Sequence, residues 1–299
     1  MSFYKPDLTM KAQLAQWLDY FESKSRARIS KTIAITWVRY TAYPEPGTGR
    51  GVGWRQNRLF YPASIISLVY AIAIEEWLRR DWLPDSHELR RALYDMVVES
   101  NKDATGFIVD LLTGTTSGPS LQGVAWQSWK EQRQMINRWL QSLGWKELEY
   151  VSCCQKIWGN GPYGRECDFH RAGYVGQYNA LTTAAVAVMF EAVMSDTIVS
   201  PLACSRLRGL LLRSLRPELC HWNLENQIDG FLGAGIALGS RFWGKSDWTN
   251  QVRHDAVCWQ TTDGGPTTLL VVFSNGKERS VDRALLSTLS TALQSLEVS

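Results

Sequence analysis

Phe60-Tyr61-Pro62-Ala63-Ser64-Ile65-Ile66-Ser67-Leu68 opens a run that, from Ala63 to Ile74, is apolar except for Ser64, Ser67 and Tyr70. It meets no acid before Glu75 and Glu76. A helix apolar on every side belongs inside a fold, not on its surface. Pro62 suits the opening turn, where a missing N–H costs nothing. The spacing predicts two hydroxyls, Ser64 and Ser67, on one face of the first turn. Unpaired N–H groups and the positive end of the helix dipole favour an anionic oxygen there. The plainer assignment makes Ser64 an N-cap and Ser67 a small packing residue, and the residues alone favour it.

Working outward, residues 9–25 read as an amphipathic helix capped by Thr9, with Leu14, Trp17, Leu18 and Phe21 on one face. Ile33 to Tyr43 is rich in β-branched and aromatic residues and predicts a strand. Pro44 to Gly49 is a turn, and Val52 to Leu59 returns as a second strand. Downstream of the buried helix, Asp85-Ser86-His87-Glu88 marks the start of another, ending near Glu99. Ser100-Asn101-Lys102-Asp103 breaks the pattern before a helix from Ala104 to Leu112. Helical spacing resumes from Trp126 to Leu140. Residues 151–181 form the longest irregular stretch, of the kind that is functional or disordered. Thr182 caps an apolar helix to Met194, and Leu207 to Leu215 is a further helical piece. Arg253–Gln260 and Thr268–Ser274 predict two strands around the turn at 263–266, and a last helix runs from Val281 to Leu296. Strand signals at both ends and helices between them predict one antiparallel sheet built from both termini, flanked by the terminal helices, with an all-helical lobe inserted.

Composition narrows the function classes. The 299 residues carry 32 basic against 29 acidic side chains, a balance that predicts no nucleic-acid partner. The apolar runs near 63–74 and 180–190 are too short to span a bilayer, so no membrane association is expected. No apolar segment follows Met1, which predicts no secretory signal and a cytoplasmic location. Six cysteines without a C-x-x-C pair and four histidines predict reduced thiols, no metal and no cofactor.

With Phe60-Tyr61-Pro62-Ala63-Ser64 in place, this order resembles the serine β-lactamase and penicillin-binding-protein superfamily. The hairpin precedes Ser64 as it does there. Glu99-Ser100-Asn101-Lys102-Asp103-Ala104-Thr105 stands where the family has S-D-N and a helix. Thr182-Thr183 opens the helix after an omega-type loop. Trp243-Gly244-Lys245-Ser246-Asp247 and Arg253-His254-Asp255-Ala256 fall where the K-T-G strand and the next strand belong. The resemblance covers most of the chain. It implies the α+β fold of that superfamily, an α/β/α sandwich with a five-stranded antiparallel sheet. Residues 1–60 and 236–299 would form the α/β lobe and residues 61–235 the helical lobe. Ser64 would be the nucleophile, and Lys245, Ser246 and Asp247 would line the substrate.

Each catalytic motif departs from the family's S-x-x-K, S-D-N and K-T-G. Ser64-Ile65-Ile66-Ser67 lacks the lysine, Ser100-Asn101-Lys102 gains one, and Lys245-Ser246-Asp247 ends in an acid where glycine lets a substrate lie against the strand. A serine needs a neighbouring base, which Ser67 cannot be. Lys102 could bring an amine into that space, forming a relay with Ser64 and a bridging Ser67 or Ser100, provided burial lowers its pKa. The family's water-activating carboxylate belongs in the long loop, where Glu166, Asp168 and His170 lie without a spacing that singles one out. Two functions follow. One is a serine hydrolase cleaving an amide or ester through a Ser64 acyl-enzyme with Lys102 as base. The other is a catalytically degenerate member that keeps the pocket as a binding or regulatory module for a small molecule or peptide. True β-lactamase activity fits worst, and no protein partner is indicated. Burial of Lys102 decides between the two.

Overall fold

The computed structural model describes residues 3–24, 26–172, 178–216, 227–261 and 265–295. Among these residues seven strands lie in the order β1-β3-β2-β7-β6-β5-β4: β1 Lys5–Pro6, β2 Ile33–Tyr40, β3 Arg50–Trp54, β4 Leu212–Arg213, β5 Arg241–Trp248, β6 Arg253–Gln260 and β7 Thr267–Ser274. The five long strands are antiparallel throughout, as the sequence implies. Two two-residue strands extend the edges, β1 parallel to β3 and β4 antiparallel to β5. Segments that short carry no alternation to read. β3 stops at Trp54 and does not reach Leu59, because Arg55 takes a left-handed backbone (φ 48°) and a turn closes from Arg58 N–H to Arg55 C=O.

Residues 66–181 form one compact unit, and the chain before and after them forms the other. This corrects the expected boundary at residue 235. The helix α9 (Thr183–Met194), expected in the helical lobe, packs on the sheet. Its Thr183 hydroxyl accepts from Thr36 at 2.9 Å, and Glu191 accepts from the Tyr40 hydroxyl at 2.7 Å. A sequence apolar but for Thr183 and Glu191, both buried, gives α9 no solvent face, so it serves as a buried layer. On the sheet's other face α1 (Leu8–Lys24) supplies Leu14, Trp17, Leu18 and Phe21, and α12 (Ala284–Ser295) supplies Leu285, Leu286, Leu289 and Leu293. These cover Ile35, Trp37, Trp259 and Leu270 of the strands. The predicted C-terminal helix begins at Ala284, a short α11 (Lys277–Val281) precedes it, and its expected last residue, Leu296, lies outside the described residues.

In the helical unit α3 (Ile66–Arg79) is buried from Ile66 to Trp77, as its apolar run requires. Ser86 caps α4 (His87–Val97), accepting from Leu89 N–H at 3.2 Å. Asn101 caps α5 (Lys102–Thr113), accepting from Ala104 N–H at 2.9 Å. The helical spacing of 126–140 resolves into α6 (Gly123–Arg133) and α7 (Met135–Ser142), broken at Gln134. The irregular stretch 151–181 contains α8 (Gly164–Arg171). Among the described residues no helix is long and apolar enough to cross a membrane.

Candidate functional site

Ser64 sits in a 3₁₀ turn, Ala63–Ile65, that precedes α3. Ala63 has φ 49°, a left-handed conformation costly for a residue with a Cβ, and this sharp entry sets the direction of the Ser64 amide. That N–H donates to Asp247 Oδ2 at 2.7 Å, while Asp247 Oδ1 accepts from Trp248 N–H at 2.8 Å. Within its own unit the Ser64 hydroxyl has no hydrogen-bond partner among the described residues. The N-cap reading of Ser64 is therefore not what the turn shows.

A buried histidine fixes this turn from beneath. His254 Nδ1 accepts from Ser274 N–H at 3.1 Å, so the proton lies on Nε2, which donates to the Tyr61 carbonyl at 2.9 Å. The ring stacks on Phe273 at 4.4 Å and meets the edge of Phe60 at 6.0 Å. Burial pushes its pKa down to about 4, so the imidazole is neutral near pH 7.

β5 brings Lys245, Ser246 and Asp247 into the same unit as Ser64. β4 pairs with Phe242 and Trp243, and among the described residues no strand pairs with the rest of the β5 edge. The chain's own side chains fill that edge. Ser246 N–H donates to Gln227 Oε1 at 3.3 Å, and the Ser246 hydroxyl donates to the Gln227 carbonyl at 3.4 Å. Fully buried Lys245 donates from Nζ to the Ser246 carbonyl at 3.1 Å, and Asp247 takes the Trp248 amide. The Ser246 amide and carbonyl on that edge are thus both already paired.

Ser67, Ser100 and Lys102 belong to the helical unit. The Ser67 hydroxyl is fully buried and unpaired among the described residues. Ser100 is half-buried in a left-handed conformation (φ 52°). Lys102, the first residue of α5, is exposed, without the burial the relay requires. Glu166 is committed to protein partners. It is buried, accepts from the Ser117 hydroxyl at 2.9 Å, and is ion-paired to buried Arg133. Arg133 lies over Trp129 at 4.7 Å, and Asp110 continues the network to Lys156 at 2.6 Å. Asp168 is half-buried and His170 exposed. Among the described residues no group of three or more His, Cys, Asp or Glu is arranged to hold a metal ion.

Two residues of the site were not singled out in the sequence, Gln227 and Arg253. Arg253 is only 5% exposed. Its Nε donates to the Ser280 carbonyl at 2.9 Å and its Nη1 to the Gly230 carbonyl at 3.1 Å. The guanidinium lies 4.9 Å from the Phe231 ring and 5.8 Å from Trp248. It lines a cavity of about 350 Å³ with Ser246, Asp247 and Trp248. An arginine at the head of a strand reads as surface, and Gln227 stands in no motif. No sequence signal could have found either.

A model of the Beta-lactamase enzyme family matches residues 81–295. A beta-lactamase from Sphaerobacter thermophilus is similar in structure, with a TM-score of 0.65 at 14% identity over 96% of this chain and 98% of that one. PBP-A gives 0.63 at 15% identity, covering 99% and 98%. A beta lactamase from Xanthomonas campestris gives 0.63 at 14% identity, covering 96% and 97%. Identities so low carry the fold alone. No curated protein matches the sequence. The serine β-lactamase-like α+β fold extends over nearly the whole chain, and the family match spans well over half of it: the chain belongs to the beta-lactamase enzyme family.

Proposed function

We propose that this member of the family binds a ligand without acylating itself, a catalytically degenerate enzyme that serves as a binding or regulatory module. The observation that carries this reading is the hydrogen bond from Ser64 N–H to the Asp247 carboxylate. Acyl transfer to a serine places negative charge on the former carbonyl oxygen, and the nucleophile's own N–H is the nearest donor for it. Here that donor faces a fixed carboxylate, which takes the hydrogen bond and repels an arriving oxyanion. The missing base supports the same reading, because Ser67 cannot take a proton and Lys102 is exposed.

The experiment is intact-mass spectrometry of the purified protein after incubation with a fluorophosphonate or with penicillin. The mass should stay that of the unmodified chain. A stoichiometric adduct that disappears in Ser64→Ala would overturn the reading and restore the acyl-enzyme.

A further inference from the structure

The small net charge hides an uneven distribution. Residues 1–60 carry ten basic and four acidic side chains, whereas the rest of the chain carries 22 and 25. In the unit that holds the sheet, the fold gathers part of this excess around the short helix α2 (Ile29–Thr32). Arg28 precedes α2 and Lys31 lies within it. Arg55 and Arg58 belong to the turn that ends β3, and two hydrogen bonds dock that turn on α2. Trp54 Nε1 donates to the Ser30 carbonyl at 2.9 Å, and Arg58 Nη1 donates to the Lys31 carbonyl at 2.7 Å. Four cations thus share one surface.

Arg58 has a structural use there. Its guanidinium lies 4.9 Å from the Phe60 ring and takes an orphan carbonyl of α2. Arg28, Lys31 and Arg55 are exposed, and among the described residues their side chains make no hydrogen bond, ion pair or ring contact. The charges beside them are already engaged. Arg26 pairs with Asp282, Arg279 pairs with Glu278 at 3.6 Å, and Glu22 accepts from the Ser30 N–H at 3.4 Å. Like charges crowded together repel, and the fold bears that cost for no internal contact. The backbone adds to it, because Arg28 and Arg55 are both left-handed, with φ 61° and 48°, a conformation unfavourable for a residue with a Cβ. Strain held at two arginines of one surface points to a use for that surface.

We propose that this surface docks an acidic polypeptide segment of a partner protein. Three of the four cations are arginines, whose planar fork takes a carboxylate through two hydrogen bonds. Leu59, 43% exposed and next to Arg58, adds an apolar contact for the same segment. A bilayer surface calls for a broader apolar face than Leu59 offers. A nucleic acid calls for positive charge that the rest of the chain does not carry. The proposal goes beyond the Ser64 site and does not depend on what that serine does.

Fluorescence anisotropy of labelled decaglutamate with the full-length protein tests it. Decaglutamate should bind at about 50 mM salt and lose at least tenfold in affinity at about 300 mM, as exposed charges are screened. Lys31→Glu with Arg55→Glu should weaken binding at least tenfold. Lys146→Glu with Arg171→Glu makes the same charge change at exposed residues of the other unit and should alter affinity less than twofold. Because charge reversal could disturb the turn, Lys31→Gln with Arg55→Gln should show a loss in the same direction. Equal losses in the two reversed pairs, full affinity in the Gln pair, or no decaglutamate binding at about 50 mM salt would overturn the proposal. So would tighter capture of the wild type by phosphatidylserine vesicles or by duplex DNA, which would make the surface a lipid or nucleic-acid site.

Discussion

Between pH 6.5 and pH 8 the stability of this protein should fall by about 2 kcal/mol, and Asp255→Asn should abolish the fall. Asp255 is 1% exposed in the centre of β6, and burial pushes its pKa up to about 8. The Leu232 amide, which donates to it at 2.8 Å, pulls the other way, as do the more distant Lys245 and Arg213, and burial prevails. The folded chain thus holds a proton that the unfolded chain releases above about pH 4, so this residue lowers stability as pH rises from about 4 to 8. His254 acts in the opposite sense. Its folded pKa of about 4 lies below the ordinary 6.5, so the unfolded chain binds the extra proton and stability rises from pH 4 to 6.5. The two slopes offset each other in the lower window, and only Asp255 acts in the upper one. In Asp255→Asn the amide oxygen can still accept from Leu232. The variant should therefore gain stability up to pH 6.5 and then level off. Thermal melts across this range check it, and a wild-type melting temperature that is flat or rising from pH 6.5 to 8 would contradict it.

Asp247→Gly should raise the affinity for a simple arylboronic acid on the order of a hundredfold, the usual worth of one oxyanion donor. A boronic acid needs no base as strong as acylation does. Its boron adds the Ser64 oxygen, the hydroxyl proton leaves to solvent, and the product is a tetrahedral anion beside the Ser64 amide. In the wild type that anion meets the Asp247 carboxylate and finds the amide taken. Glycine removes the carboxylate and leaves the N–H open, while His254 still holds the Tyr61 carbonyl and with it the turn. A second change, Ser64→Ala, should cancel the gain. Penicillin turnover should remain absent in Asp247→Gly, because the substitution supplies no base. Equal boronate affinity in the two proteins would show that Asp247 is no obstacle.

The framework was legible because it depends on patterns that local chemistry enforces. The run after Ala63, apolar but for Ser64, Ser67 and Tyr70, pointed to a buried helix, and the β-branched stretch Ile33–Tyr40 pairs on both sides. The order of strands and motifs then pointed to the family. The boundary between the units was not legible, because α9 is buried on every side and almost wholly apolar, and its pattern does not say whether a sheet or helices will cover it. The site was half legible. Ser64 and the Lys245-Ser246-Asp247 strand do come together in one unit. An acid at 247 in place of glycine marked a departure from the family, but not that its carboxylate would reach the Ser64 amide, since that depends on the left-handed turn at Ala63. Lys102 illustrates the opposite limit: a lysine gained near a motif says nothing about burial, and this one is exposed at the start of α5.

The most direct measurement is the amide resonance of Ser64 in ¹⁵N-labelled protein, followed as the pH is lowered. If Asp247 holds this N–H, the proton should resonate downfield and shift with the protonation of one carboxylate. Asp247→Asn should remove that inflection while neighbouring amides keep theirs. A Ser64 amide that ignores the carboxylate, with the same titration curve in wild type and Asp247→Asn, would contradict the account.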